Sequence, residues 1–299
     1  MIPLFDLHCD TLSELYLGNF SFSSAPLHIS LDKCTGISPY RQVLAIWSDS
    51  NLSSDEAYER YKSTVSYAHK QGIEFIKDFK NIYKEKFILA VEDARLLNNN
   101  ISRLDTLYSD GVKILTLCWR DTSCIGGGWN TEKALTSFGI EVVKRCFELG
   151  IIPDISHASL PVIHQVILLA KKYNKTIIAS HSNSYAVCKH DRNLRDENFS
   201  QIVSLGGLVG ICLCPQHLTE DGNADINHIL SHIEHYLSIG GENSICLGCD
   251  FDGVSTLPYG INNISDIPLL FNESVRKFGY RVSEKIFFEN AYSFFKGIS

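Results

Sequence analysis

The chain has no excess of positive charge. Lys and Arg number 27 against 34 Asp and Glu, a formal net charge of −7 over 299 residues. Recognition of nucleic acid needs a concentrated basic face, so nucleic acid is not expected as a partner. The densest lysine groups, Lys84-Glu85-Lys86 and Lys171-Lys172, read as solvated surface. No apolar run approaches the ~18–20 residues that cross a bilayer. The opening Met1-Ile2-Pro3-Leu4-Phe5-Asp6 has no basic n-region, long apolar stretch or cleavage site, so neither a secretory leader nor a membrane association is expected. There is no disulfide-like cysteine framework. The 10 cysteines are scattered, several inside strand-like runs where a reduced thiol acts as a small hydrophobe. Reduced thiols in a cytoplasm are therefore expected. Cys212-Leu213-Cys214 and Cys246-Leu247-Gly248-Cys249 resemble zinc half-sites but fall in expected buried strands. Repeats, low-complexity segments and linkers are also missing, so one domain over residues 1–299 is expected.

What the chain does have is alternation. Hydrophobic residues make up 44% and charged residues 20%, enough for a full core. Near-continuous apolar runs predict strands near Leu4–Cys9, Gln42–Trp47, Phe87–Val91, Lys113–Cys118, Ile151–Ile155, Thr176–Ser180, Gly207–Cys212 and Ser244–Cys249. Helical spacing lies between them, near Ser54–Gln71, Thr131–Leu149, Pro161–Tyr173, Ile226–Ile239 and Ser283–Lys296. Shorter helices are expected near Ile101–Ser109, Asp196–Leu205 and Ile267–Lys277. Eight strand-then-helix units predict a closed (β/α)8 TIM barrel. Gly126-Gly127-Gly128 follows the fourth strand. No Lys-Ser/Thr follows it, so it reads as a flexible loop rather than a phosphate cradle.

Five of the apolar runs end on metal-type or carboxylate residues. They lead into Asp6-Leu7-His8-Cys9-Asp10, Glu92-Asp93, Asp154-Ile155-Ser156-His157, Ser180-His181-Ser182 and Asp250-Phe251-Asp252. Active sites of such barrels are built at the carboxyl ends of the strands. Residues two apart on a strand face the same way, so His8 and Asp10 can aim at one point. The Glu92 carboxylate could bridge two ions, and His157 and His181 could hold the second. Nitrogen and oxygen ligands suit zinc, with manganese or cobalt as substitutes. Two ions ~3.5–4 Å apart would hold a bridging hydroxide and polarise a carbonyl. Asp250 is placed to act as general base and then general acid. Asp252 reads as a loop or supporting residue. Arg192 and Arg195 follow the His181 strand, and a bidentate guanidinium can clamp a substrate carboxylate; Arg195 reads rather as surface. The remaining histidines, His217 among them, read as packed or surface residues. His228, His232 and His235 share a helical stripe, but no other ligand type converges on it.

At these positions the chain resembles the membrane dipeptidase (renal dipeptidase) family of zinc peptidases. The resemblance lies in Asp6, His8 and Asp10 at the start, Glu92 after an apolar strand, and Asp154 to His157. It continues through Ser180-His181-Ser182, Tyr185-Ala186-Val187-Cys188 and Arg192-Asn193 to Asp250-Phe251-Asp252-Gly253-Val254. It implies a barrel of the metal-dependent amidohydrolase type with two Zn2+ per chain, bridged by Glu92. It implies hydrolysis of dipeptides, with tolerance of a C-terminal D-residue. Arg192 matches the residue that binds the substrate carboxylate, and Asp250 the acid/base carboxylate. It also implies a homodimer, of the soluble bacterial type. One position departs: Trp119 stands where better-known members carry a substrate-contacting His. An indole donates one hydrogen bond and carries no charge, so oxyanion stabilisation would rest on the metals or on Arg120, and Trp119 lines the substrate pocket. Two other readings share the same residues: a hydrolase of another amide (an N-acyl amino acid, a cyclic amide or a β-lactam), and a metal-binding protein without turnover.

Overall fold

Seven parallel strands alternate with helices in a computed structural model that describes residues 1–298. The strands are β1 (Ile2–Asp6), β2 (Ile37–Ile46), β3 (Phe87–Glu92), β4 (Val112–Thr116), β5 (Ile152–Asp154), β6 (Val209–Ile211) and β7 (Ile245–Leu247). They lie in the order β5-β4-β3-β2-β1-β7-β6. The strand expected near Thr176–Ser180 is too short to run as a ladder, yet it closes the ring. Ile178 receives a hydrogen bond from Ile155 N at 2.9 Å and donates to Pro153 O at 3.1 Å on the β5 side. Ala179 donates to Leu208 O at 2.9 Å and receives Gly210 N at 2.8 Å on the β6 side. Eight strand positions therefore close into a TIM-type barrel, as the alternation predicted.

The barrel interior is filled, not hollow. Phe5, Val43, Ile88, Ile114, Ile152 and Ile178 come from successive positions of the ring and share one buried cluster. Phe295 closes its amino-terminal end by stacking on Phe5 at 5.2 Å between ring centroids. A second cluster packs the outer strand faces against the helices. Such inward layers are how a parallel barrel buries both faces of each strand.

Two helices differ from expectation. The one expected over Thr131–Leu149 begins at Ser137, because Thr136 caps it by accepting from Gly139 N at 2.9 Å. The preceding residues instead wrap the carboxyl-terminal mouth. The last helix starts at Tyr280 and contains a π-helical turn at Lys285–Glu289 before resuming over Asn290–Gly297. Asn290 Nδ2 donates to Ile245 O at 2.7 Å and Glu242 O at 2.9 Å, anchoring that irregular turn to β7.

Gly126-Gly127-Gly128 is buried and packed, which corrects the flexible-loop expectation. A Cβ on Gly128 would lie 2.4 Å from Arg120 Cα. The backbones of two mouth loops touch there, and the next residue, Trp129, is thereby set against the cavity.

Candidate active site

The strand ends deliver their polar side chains to one point. His8 and Asp10 follow β1, Glu92 ends β3, His157 follows β5, His181 follows the short closing strand and Asp250 follows β7. They form three overlapping groups whose ligand atoms lie within 4.8 Å of one another: His8–Asp10–Glu92, Glu92–His157–His181 and His8–His181–Asp250. Glu92 faces both sides. Its Oε2 is 3.5 Å from His8 Nε2, and its Oε1 is 2.9 Å from His157 Nε2 and 3.5 Å from His181 Nε2. Asp250 Oδ1 is 3.7 Å from His8 Nε2.

Supporting residues aim these groups. Asp154 accepts four hydrogen bonds: from Thr116 and Ser180 hydroxyls at 2.6 Å each, and from Ser156 and Ser180 backbone N–H at 2.9 Å each. The Ser180 hydroxyl thus gives its proton to Asp154 and accepts from His181 Nδ1, 2.7 Å away. That assignment leaves His181 Nε2 without a proton and facing the cluster. Asp6 is structural: it accepts from Cys249 N at 2.8 Å and from Gln42 Nε2 at 3.1 Å. Asp252 is tied down by Thr11 Oγ1 at 2.6 Å and His28 N at 2.5 Å.

The donor set fits divalent cations. His8 Nε2 and Asp10 Oδ1 are buried without hydrogen-bond partners, and unsatisfied buried polar atoms are costly. Burial and the Glu92 charge push the Asp10 carboxyl well above the ordinary carboxylate range. Burial pushes Glu92 up to about 8 and Asp250 up to about 7. Burial, with neighbouring His8 and Arg192, pulls His157 and His181 well below 6.5. Carboxylates that resist ionising beside imidazoles that resist protonation form a donor set suited to a positive charge. His157 and Asp250 also hold left-handed backbone, at φ 64 and 61.

The cluster forms the floor of a cavity of about 330 Å3. Arg192 is buried in its wall, donating to Ser182 Oγ at 3.2 Å and to His181 O at 3.0 Å. Trp119 lines it as expected, with its ring 6.0 Å from that of His157. Arg120 does not line it. Its guanidinium lies over the Trp119 ring at 5.7 Å and pairs with Asp121 at 3.5 Å. Arg195 is exposed, lying 4.4 Å over the Tyr185 ring.

Sequence reasoning missed several lining residues. Glu14, Trp47, Trp129, Cys214 and His217 all face the cavity. His217 sits in a short helix after β6 (Pro215–Leu218), where no strand-end pattern marks it. The His228–His232–His235 stripe binds no cluster: each ring is engaged locally, with Asp225, with Ser184 N and Leu218 O, and with Asp196. No cysteine joins a ligand group among the described residues, and all ten are free.

Comparison with known proteins places the chain in a family. A family model for membrane dipeptidase, peptidase family M19, matches residues 1–298. An uncharacterized dipeptidase of Schizosaccharomyces pombe is 29% identical over 211 residues, 68% of this chain and 50% of its own length. A Klebsiella pneumoniae protein from the pqqA 5′ region is 31% identical over 201 residues, 62% of this chain and 72% of its own. The chain thus spans half the length of the yeast relative. Among solved structures, dipeptidase AC, a metallopeptidase of family M19, superposes with TM-score 0.90 at 23% identity over 98% of both chains. A Rhodobacter sphaeroides metallopeptidase, bound to a phosphinate mimic of L-Ala-D-Ala, gives TM-score 0.90 at 22% identity over 98% of both chains. A Pseudomonas aeruginosa amidohydrolase gives TM-score 0.78 at 20% identity, over 99% of this chain and 96% of its own. The chain belongs to the membrane dipeptidase family, peptidase family M19.

Proposed function

We propose that this chain hydrolyses dipeptides with two zinc ions held by His8, Asp10, Glu92, His157 and His181. The observation that carries the reading is the sharing of Glu92 between two ligand groups, directly beside the carboxylate of Asp250. When bound, the ions supply an activated water and a polarised scissile carbonyl. Manganese or cobalt could serve the same ligands.

The chain's own residues do the rest. Arg192 holds the substrate carboxylate with the N–H groups left free by Ser182 and His181 O, which fixes the peptide's direction across the cavity. Asp250 takes the proton of the attacking water and returns it to the leaving amine. Its carboxylate faces the cavity and reaches His8 Nε2 at 3.7 Å, which places it to exchange a proton with a water there. Trp119 and Trp129 wall the cavity and limit its water. The Rhodobacter sphaeroides relative, bound to a mimic of L-Ala-D-Ala, supports tolerance of a C-terminal D-residue here. One domain, a homodimer and a cytoplasmic setting complete the reading. The ten free cysteines suit that setting.

The test is hydrolysis of an L,L- and L,D-dipeptide panel by zinc-loaded protein, with a chelator-treated control and N-acyl amino acids alongside. Chelator-sensitive dipeptide cleavage is expected. Protein carrying two metals that cleaves N-acyl amino acids but no dipeptide would overturn the reading.

A further inference from the structure

Five carboxylates line the cavity: Asp10, Glu14, Glu92, Asp250 and Asp252. Four have work already. Asp10, Glu92 and Asp250 belong to the ligand groups. Asp252 accepts from Thr11, His28 and Ile29. Glu14 belongs to no ligand group, and neither a hydrogen-bond donor nor a cation offsets its burial and the nearby Asp252 charge. It is a carboxylate on the cavity wall with no partner among the described residues.

Its place is defined. Glu14 lies in the first turn of the helix Thr11–Gly18 that follows β1. The neighbouring Ser13 hydroxyl bonds both backbone atoms of Trp47, to N at 2.8 Å and to O at 3.2 Å. Trp47 in turn packs on Trp119 with ring centroids 5.2 Å apart. One wall of the cavity is thus a carboxylate beside two indoles. Arg192 belongs to a different wall. It follows the closing strand, and the ring passes through β6 and β7 before reaching β1. Both side chains line the one cavity that holds the ligand groups. A substrate anchored on Arg192 by its carboxylate then has Glu14 in the same cavity for its other end. Aromatic faces beside a carboxylate suit a cation, and they suit the methylene stem of a long one.

We infer that Glu14, backed by Trp47 and Trp119, selects dipeptides that carry a positive charge on the residue N-terminal to the scissile bond. The inference rests on the dipeptidase reading for its substrate class. The charge has two sources, the free α-ammonium and a Lys or Arg side chain.

The experiment compares the zinc-loaded full chain with its Glu14→Gln variant on Lys-Ala and on norleucine-Ala, which lacks only the side-chain charge. Binding of both peptides is read separately by quenching of tryptophan fluorescence in an Asp250→Asn background, where turnover is slowed. A preference of about tenfold for Lys-Ala, held in KM and lost in Glu14→Gln, is expected for the side chain. An equal loss for both peptides, again in KM, assigns the α-ammonium. Unchanged affinity and kcat/KM for both peptides, within about twofold, overturns the inference. If the wild type cleaves neither peptide, the dipeptidase reading fails, and the fluorescence titration still decides on Glu14.

Discussion

His157 and His181 bring their Nε2 atoms to 2.8 Å from each other, and both face Glu92 Oε1. The hydroxyl of Ser180 holds His181 in the tautomer that leaves its Nε2 bare. Two lone pairs at that separation repel unless a cation or a proton stands between them. Residues that fix a ligand's tautomer contribute about 10–100-fold to metal affinity. Ser180→Ala is therefore expected to weaken zinc binding by about that factor. Competition with a chromophoric chelator measures it, with circular dichroism to show that the fold is kept. An unchanged affinity would remove Ser180 from the account.

Asp250→Asn is expected to retain both metals while kcat falls by about 10²–10⁴, the usual contribution of a positioned acid/base group. Metal content is read by elemental analysis of the same preparation used for kinetics. Loss of one metal equivalent would instead make Asp250 a ligand, in line with its place beside His8 and His181.

Arg192→Lys keeps the charge and discards the planar fork. For dipeptides KM is expected to rise about tenfold or more with kcat changed less, since a fork–carboxylate pair gives way to a point charge. Steady-state kinetics on one good dipeptide suffice. A fall confined to kcat would mean that Arg192 acts on the transition state and not on substrate carboxylate.

The metal-free protein should lose stability as pH rises from 6.5 towards 8. Glu92 and Asp250 have folded values raised to about 8 and about 7. The folded state therefore binds more protons than the unfolded chain in that window, and unfolding free energy falls with pH. His157 and His181 are shifted the other way, so their contribution is confined to pH below 6.5, where it rises with pH and runs against that of the carboxyls. Below 6.5 the two sets oppose each other, because the unfolded carboxyls ionise from about pH 4, so the uncompensated decline is the one above 6.5. Zinc, by favouring the ionised carboxylates, should abolish the alkaline decline. Thermal melts with and without chelator across this range test both arms.

The barrel and its candidate ligand groups were readable because polar side chains sit at strand ends, where an apolar run stops. His8, Glu92, His157, His181 and Asp250 each directly follow or end such a run. Residues that enter the cavity from elsewhere carry no such mark. Glu14 lies a helical turn beyond β1, and His217 enters from a short helix after β6. The glycine triplet misled for a related reason. Its sequence reports freedom, whereas its neighbours impose contact, as the approach of Arg120 to Gly128 shows. Likewise, the start of the helix at Ser137 was set by a single capping threonine within a pattern that continued upstream.

The left-handed backbone at His157 and Asp250 sets an easy backbone against the side chains that the proposed chemistry needs. An L-residue held there costs roughly 1–2 kcal/mol, a cost that glycine escapes. Glycine there would ease the backbone, yet at His157 it would also discard a proposed zinc ligand and the stability that a bound ion lends the fold.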